Sequence, residues 1–157
     1  MAYSSSVPAA IAALVADFRA SAALGGAGVL VLDGPSLTAP GGQEAVAVGY
    51  AGDAAQAQPA VTGTAVPEGL GVLPDRERYA VTCVIEVVDP GGDMTAARTR
   101  AYALHAACGA AVAADHTLGG AVLNAWPGFG TLYPQQTTGG ALARVVFPVG
   151  VDAYTGR

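Results

Sequence analysis

In ARTRAYALHAACGAAV, residues 97–112, His105 and Cys108 stand three positions apart, a spacing that makes them neighbours on one side of a helix. An imidazole and a thiol so placed are half of a zinc site, or the base and nucleophile of a thiol enzyme. A zinc site needs further donors, and the other side chains of that kind are Cys83 and His116. The second close pair typical of zinc sites is missing. Projection at about 100° per residue puts Ala97, Ala101, Leu104, Cys108, Ala111 and Val112 on one apolar stripe. Cys108 falls near its middle and His105 toward its edge. That placement predicts a packed cysteine, whose thiol is raised by apolar burial, and not an accessible thiolate.

Other chemistries are no better equipped. The serines are Ser4, Ser5, Ser6, Ser21 and Ser36, and none lies in a G-x-S-x-G elbow. GGAG (25–28) precedes an apolar run instead of following one, the wrong polarity for a dinucleotide loop, and no Walker-type loop is present. A carboxylate pair chosen from twelve acids has no specificity. The expectation is a non-enzyme with no catalytic residue, no metal and no cofactor. The polar residues left to explain are arginines. Arg98 and Arg100 project to opposite flanks of the apolar stripe, and Arg76 and Arg78 open a strand-like run. They read either as solvated surface or, with the acids Glu86, Asp89 and Asp93, as a candidate subunit or partner interface. In NAWPGFGTLY (124–133), Trp126 is expected in the core, while Phe129 and Tyr133 are core or anchors on a partner-facing loop.

The elements that must position these residues are set off by Gly-Gly doublets at 25, 41, 91, 119 and 139. Ser6 is a natural N-cap and Pro8 sits in the opening turn of a helix with Ile11, Leu14, Val15 and Phe18 on one face, running to about Ala22. GVLVLDG (28–34) and EAVAVGYA (44–51) read as strands. The stretch 52–74 shows no sustained period and is expected to be a long irregular loop. RERYAVTCVIEVVD (76–89) alternates clearly, with Tyr79, Val81, Cys83, Ile85 and Val87 on one face and a mixed set on the other. Asp93 can cap a helix from Met94 to Ala114, and AVLNAW (121–126) and LARVVFPVGV (142–151) complete the pattern. Pro148 favours an edge position or a bulge for the last strand. The order α-β-β-β-α-β-β predicts an α+β two-layer sandwich, a mixed, mainly antiparallel sheet with two helices on one face, as a single domain over 1–157.

Composition narrows the function classes. The chain has 157 residues, no lysine, seven arginines and a formal net charge of −5. That balance argues against general nucleic-acid binding, which needs a basic face. The longest charge-free stretch of the second helix falls short of a membrane span, and VPAAIAALVA is read as a helix and not a signal-peptide core. Two cysteines make no disulfide framework, so both are expected to stay reduced in a cytosol.

The phrases in order are IAALVADFRAS, a strand ending DGP, a valine-rich strand ending VGYAGD, then YAVTCVIEVVDPGGD. AARTRAYALHAACGAAVAAD, TLGGAVLNAW and ARVVFPVGVDA follow. Together, with DHTLGG and VGYAGD the most telling, they resemble the tail terminator (tail completion or minor tail) proteins of long-tailed phages of actinobacteria. The resemblance implies a non-enzymatic virion protein forming a ring, usually a hexamer, at the head-proximal end of the tail tube. Its partners would be further copies of itself, the major tail tube protein and the neck or head-completion proteins. DNA would pass through the channel without sequence-specific binding, and no membrane is involved. It would assemble in the host cytoplasm and end in the virion. Readings beside it are another neck component, such as a head-closure or head–tail adaptor protein, and a small metal or thiol enzyme using His105, Cys108 and Cys83.

Overall fold

The computed structural model describes residues 4–35, 43–52, 59–68 and 74–155. Two strands organise it: β4 (Arg76–Asp89) and β7 (Gly140–Tyr154) pair antiparallel along their full length, from Arg76 opposite Tyr154 to Asp89 opposite Ala141. Each carries two shorter strands in series on its outer edge. β2 (Ala45–Val48) and β3 (Val61–Val66) flank β4, and β5 (Asn124–Pro127) and β6 (Thr131–Thr137) flank β7. β1 (Leu30–Asp33) adds to β2 in the parallel sense, against the antiparallel sense of the other pairings. The sheet is therefore mixed and mainly antiparallel. Helices α1 (Val7–Ala20) and α2 (Met94–Ala114) pack on it and on each other.

The core lies between the helices and one face of the sheet, as period-2 alternation demands. Val81, Cys83, Ile85, Val145, Phe147, Val149 and Val151 are fully buried, and so are Leu14, Phe18 and Leu104 facing them. On α2 the buried stripe is Ala97, Ala101, Leu104, Cys108 and Val112. Small residues there let the helix lie close to the sheet. Val7–Ala27 is long and apolar enough by composition to cross a membrane. Within it, however, α1 stops at Ala20, carries Asp17 and Arg19, and buries Ala10, Leu14, Val15 and Phe18 against the sheet. This is the pattern of a core helix.

The α+β architecture with two helices on one sheet is as expected from the sequence, with two strands added. The stretch 52–74, expected to be irregular, contains β3, and 131–137 forms β6; residues 53–58 and 69–73 of that stretch lie outside the described residues. Residues 121–123, expected in a strand, belong to the turn before β5. Ser6 occupies the N-cap position of α1 but makes no side-chain cap. Its hydroxyl donates to Glu77 Oε2 at 2.6 Å, which holds the helix start onto β4. Pro148 was expected at an edge position or a bulge, yet β7 lies inside the sheet, paired on both sides. The proline is tolerated because β5 pairs with 149–152 and β6 with 140–146, leaving Pro148 opposite the gap between them. Gly128 N donates to Pro148 O at 2.7 Å, so residue 148 turns its backbone polar groups toward that gap, where no ladder partner needs its missing N–H.

Candidate functional site

Among the described residues, no helix packs on the second face of the sheet. That face presents the even-numbered positions of β4 and β7, most of them half-buried or exposed. Cross-strand register decides its charges. Arg78 stands opposite Asp152, and Glu86 opposite Arg144. Arg76 reaches across diagonally and forks onto Asp152, with Nε to Oδ1 at 2.9 Å and Nη2 to Oδ2 at 2.6 Å. Glu68 adds to this cluster, 3.5 Å from Arg76 Nη1 and accepting from the Tyr154 hydroxyl at 3.0 Å. Hydrogen bonding from Arg76 holds the Asp152 carboxyl below the usual carboxylate range. Arg144 donates to Glu86 Oε1 at 2.9 Å through Nε.

The seven charged residues singled out in the sequence are thus dispersed. Arg76, Arg78 and Glu86 lie on the open face, and all three are already paired within the chain, Arg78 Nε lying 3.7 Å from Asp152 Oδ1. Asp93 caps α2, accepting from Thr95 N at 2.9 Å and Ala96 N at 3.2 Å, while Asp89 Oδ2 accepts from Asp93 N at 2.8 Å. Arg100 forks onto Glu44 with both contacts at 2.8 Å, tying α2 to the strand layer. Arg98 is exposed and makes no ion pair among the described residues.

The aromatic segment is placed differently from the expectation. Ala125 takes the core position of β5, so Trp126 points to the open face and is 46% exposed. There it covers Gly150, where a Cβ would collide with the indole. Tyr133 is 49% exposed and Phe129, in the β5–β6 loop, 82%. That loop is gripped from α2. The Tyr102 hydroxyl donates to Gly130 O at 2.9 Å, and His105 Nε2 donates to Gly128 O at 3.0 Å. The His105 ring in turn packs against Phe147, with centroids 4.8 Å apart. A Cβ on Gly130 would come within 2.7 Å of Val145 Cγ1, so only glycine fits against the strand there. The result is a fixed loop with an aromatic tip. In the sequence Phe129 reads as core or anchor, and Tyr102 is the residue missed.

His105 therefore serves the loop, and the cysteines lie behind it in the core. Cys83 and Cys108 are free and buried. Burial pushes the Cys83 thiol up to about 12. The Cys108 thiol is raised by burial and then by its neighbour Cys83. Neither is poised as a nucleophile. Among the described residues no three His, Cys, Asp or Glu side chains gather into a metal-binding group.

A groove of about 400 Å³ runs between the helices, walled by Ala20, Ala23, Ala107, Ala110, Ala111 and Ala114, with Asp17 and Asp115 beside them. Asp17 Oδ2 is buried without a hydrogen-bond partner among the described residues, and burial, then the charge of Asp115, raises its carboxyl. Asp115 is lowered, first by the Thr117 hydroxyl and then by Gly119 N–H, which donate to it at 2.8 and 2.6 Å.

No protein-family model and no curated protein matches the chain. Among solved structures it is similar to a chain of the virion of a native gene transfer agent (GTA) particle. The two share 13% identity over 92% of this chain and 93% of that one, at a TM-score of 0.46. A likeness this distant leaves function to be argued from the site.

Proposed function

We propose that the protein is a structural virion component, a tail terminator of a long-tailed phage. It assembles as a ring, taken as a hexamer, on the head-proximal end of the tail tube, stops tube growth and forms the joint to the neck. The observation that carries this reading is the face of the long β4–β7 pair turned away from α1 and α2, bordered by exposed Trp126 and Tyr133 and by the fixed Phe129 loop. Large aromatics held rigidly at the surface are what protein–protein contacts use. The sequence phrases shared with tail terminators supply the kind of assembly. One sheet joins the described strands, which supports a single domain over 1–157. The negative balance suits a channel that DNA slides through without sticking. Its partners are copies of itself, the tube protein and the neck proteins. Deleting the gene from its phage and imaging the particles tests the reading. Overlong tails support it; tails of normal length detached from their heads point to a neck adaptor, and unaltered virions overturn it.

A further inference from the structure

Phe129 and the inter-helix groove lie on opposite flanks of α2. Tyr102 and His105 hold the Phe129 loop from one flank, and Gly109 on that side abuts Pro127. Ala107, Ala110 and Ala114 wall the groove from the other, toward α1. The flanks also differ in charge. Arg98 precedes Tyr102 by four residues and His105 by seven, so it shares the loop's flank, exposed and without an ion pair among the described residues. The groove carries Asp17, whose Oδ2 is buried without a hydrogen bond among the described residues, and Asp115, whose lowered carboxyl stays ionised at neutral pH.

We propose that Phe129 of one copy of this chain seats in the alanine-lined groove between α1 and α2 of a second copy, with Arg98 of the first facing the Asp17–Asp115 end of the groove in the second. One chain carries both the aromatic tip and an open, mainly alanine-lined groove of about 400 Å³, together with opposite charges beside them. That complementarity selects a second copy as the occupant. Small side chains along the groove leave room for a ring that larger ones would exclude. Because tip and groove lie on opposite flanks of α2 and do not share one patch, the contact is head-to-tail. Each copy that offers its groove still has a free Phe129, so the contact repeats until it closes into a ring. It supplies a contact the proposed ring needs, and it stands without the tail reading.

Sedimentation and light scattering of the purified protein across a concentration series give the first test. The wild type is expected to associate beyond a dimer. Phe129→Ala, on an exposed loop tip, is expected to weaken association by at least about thirtyfold. Arg98→Glu is expected to weaken it by roughly two- to fivefold, with the effect fading at high salt. The double variant Phe129→Cys with Ala110→Cys, oxidised at low concentration, is expected to give a ladder of cross-linked species. Neither single variant should do so, and the native thiols are buried out of reach. A monomeric wild type, association unchanged in Phe129→Ala, or a multimer that never cross-links through 129 and 110 each overturns the proposal. Dimers from Phe129→Cys alone would show a symmetric contact and overturn it too. A Phe129-dependent multimer that is absent from tails would keep this contact and remove the tail reading.

Discussion

At the scale of single residues, the deepest polar commitment is the contact between Ser6, Glu77 and Tyr79. Glu77 is 4% exposed and accepts from both Ser6 N at 2.8 Å and the Ser6 hydroxyl at 2.6 Å. With that hydroxyl proton committed, Tyr79 is the donor across the 2.9 Å Ser6–Tyr79 contact. Removing the serine oxygen leaves a buried carboxylate and a buried phenol each one partner short. Ser6→Ala is therefore expected to cost about 1–3 kcal/mol, a fall of several degrees in Tm by calorimetry. A Tm unchanged within a degree would sink the idea. Asp17 runs the other way. Its carboxyl is raised in the fold, so the ionised form is disfavoured there, and that penalty is present above the folded pKa and disappears as pH falls below it. Asp17→Ala is expected to stabilise the chain at neutral pH by about 1 kcal/mol, from removal of an unsatisfied oxygen and better helix propensity. The propensity part persists at every pH, so the gain over wild type should shrink, not vanish, as pH falls. Thermal melts from pH 7 to 4 check this, and a gain that grows in acid would contradict it. The same variant should associate less well, since the groove loses a charge.

Elements were legible to the extent that their residues advertise a partnerless pattern. α2 could be bounded at Met94 and Ala114 because Asp93 is a strong cap and no proline or glycine pair interrupts the run. β4 could be bounded because apolar residues recur at every second position. β3, VTGTAV, and β6, TLYPQQT, carry no such signal; each lies on an outer edge with mostly exposed side chains, so neither needed an apolar face. Trp126 was misplaced for a related reason: which of Ala125 and Trp126 faces the core depends on β5 register against β7, information held in the pairing. Of the candidate site, Phe129 and Arg98 were singled out in the sequence, Phe129 as core or anchor and Arg98 as solvated or interfacial. The neutralisation of Arg76, Glu86 and Arg100 was not legible there, because Asp152, Arg144 and Glu44 lie more than fifty positions away in the chain. The grip of α2 on the β5–β6 loop gives the prediction at this scale. Tyr102→Phe removes one hydrogen bond to Gly130 O and leaves the ring in place. Stability should fall by about 1 kcal/mol, and backbone NMR should show the 128–131 amides gaining motion while β4 and β7 do not change. Unaltered order at Phe129 would mean that His105 and the strand contacts suffice to hold the tip.

For the whole molecule, the division of the sheet sets a hierarchy of local stability. β4 and β7 are each bonded on both sides for most of their length and bear the core on one face. Both outer edges break at one level. Thr82 stands opposite Pro148, with Gly49, Tyr50 and Ala60 bonding to Thr82 on one side and Gly128 to Pro148 on the other. Each outer strand is thus short, and none continues past this level, so opening one does not require opening the next. Amides whose exposure needs only a short edge strand to lift exchange by local opening, whereas those between β4 and β7 require the core to separate. Native-state hydrogen exchange should therefore rank β4–β7 amides near the global unfolding free energy. β3 and β6 should exchange first, because most of their side chains are exposed. The same experiment separates the monomer's own order from that imposed by assembly. If copies join through Phe129 and the inter-helix groove, protection in the associated state should rise at the 128–131 loop and along the facing sides of α1 and α2. The face of β4 and β7 turned away from α1 and α2 should gain nothing from that contact alone. Added protection on that face in particles carrying tail tube would mark a second interface, and equal slowing across the whole sheet would contradict the hierarchy.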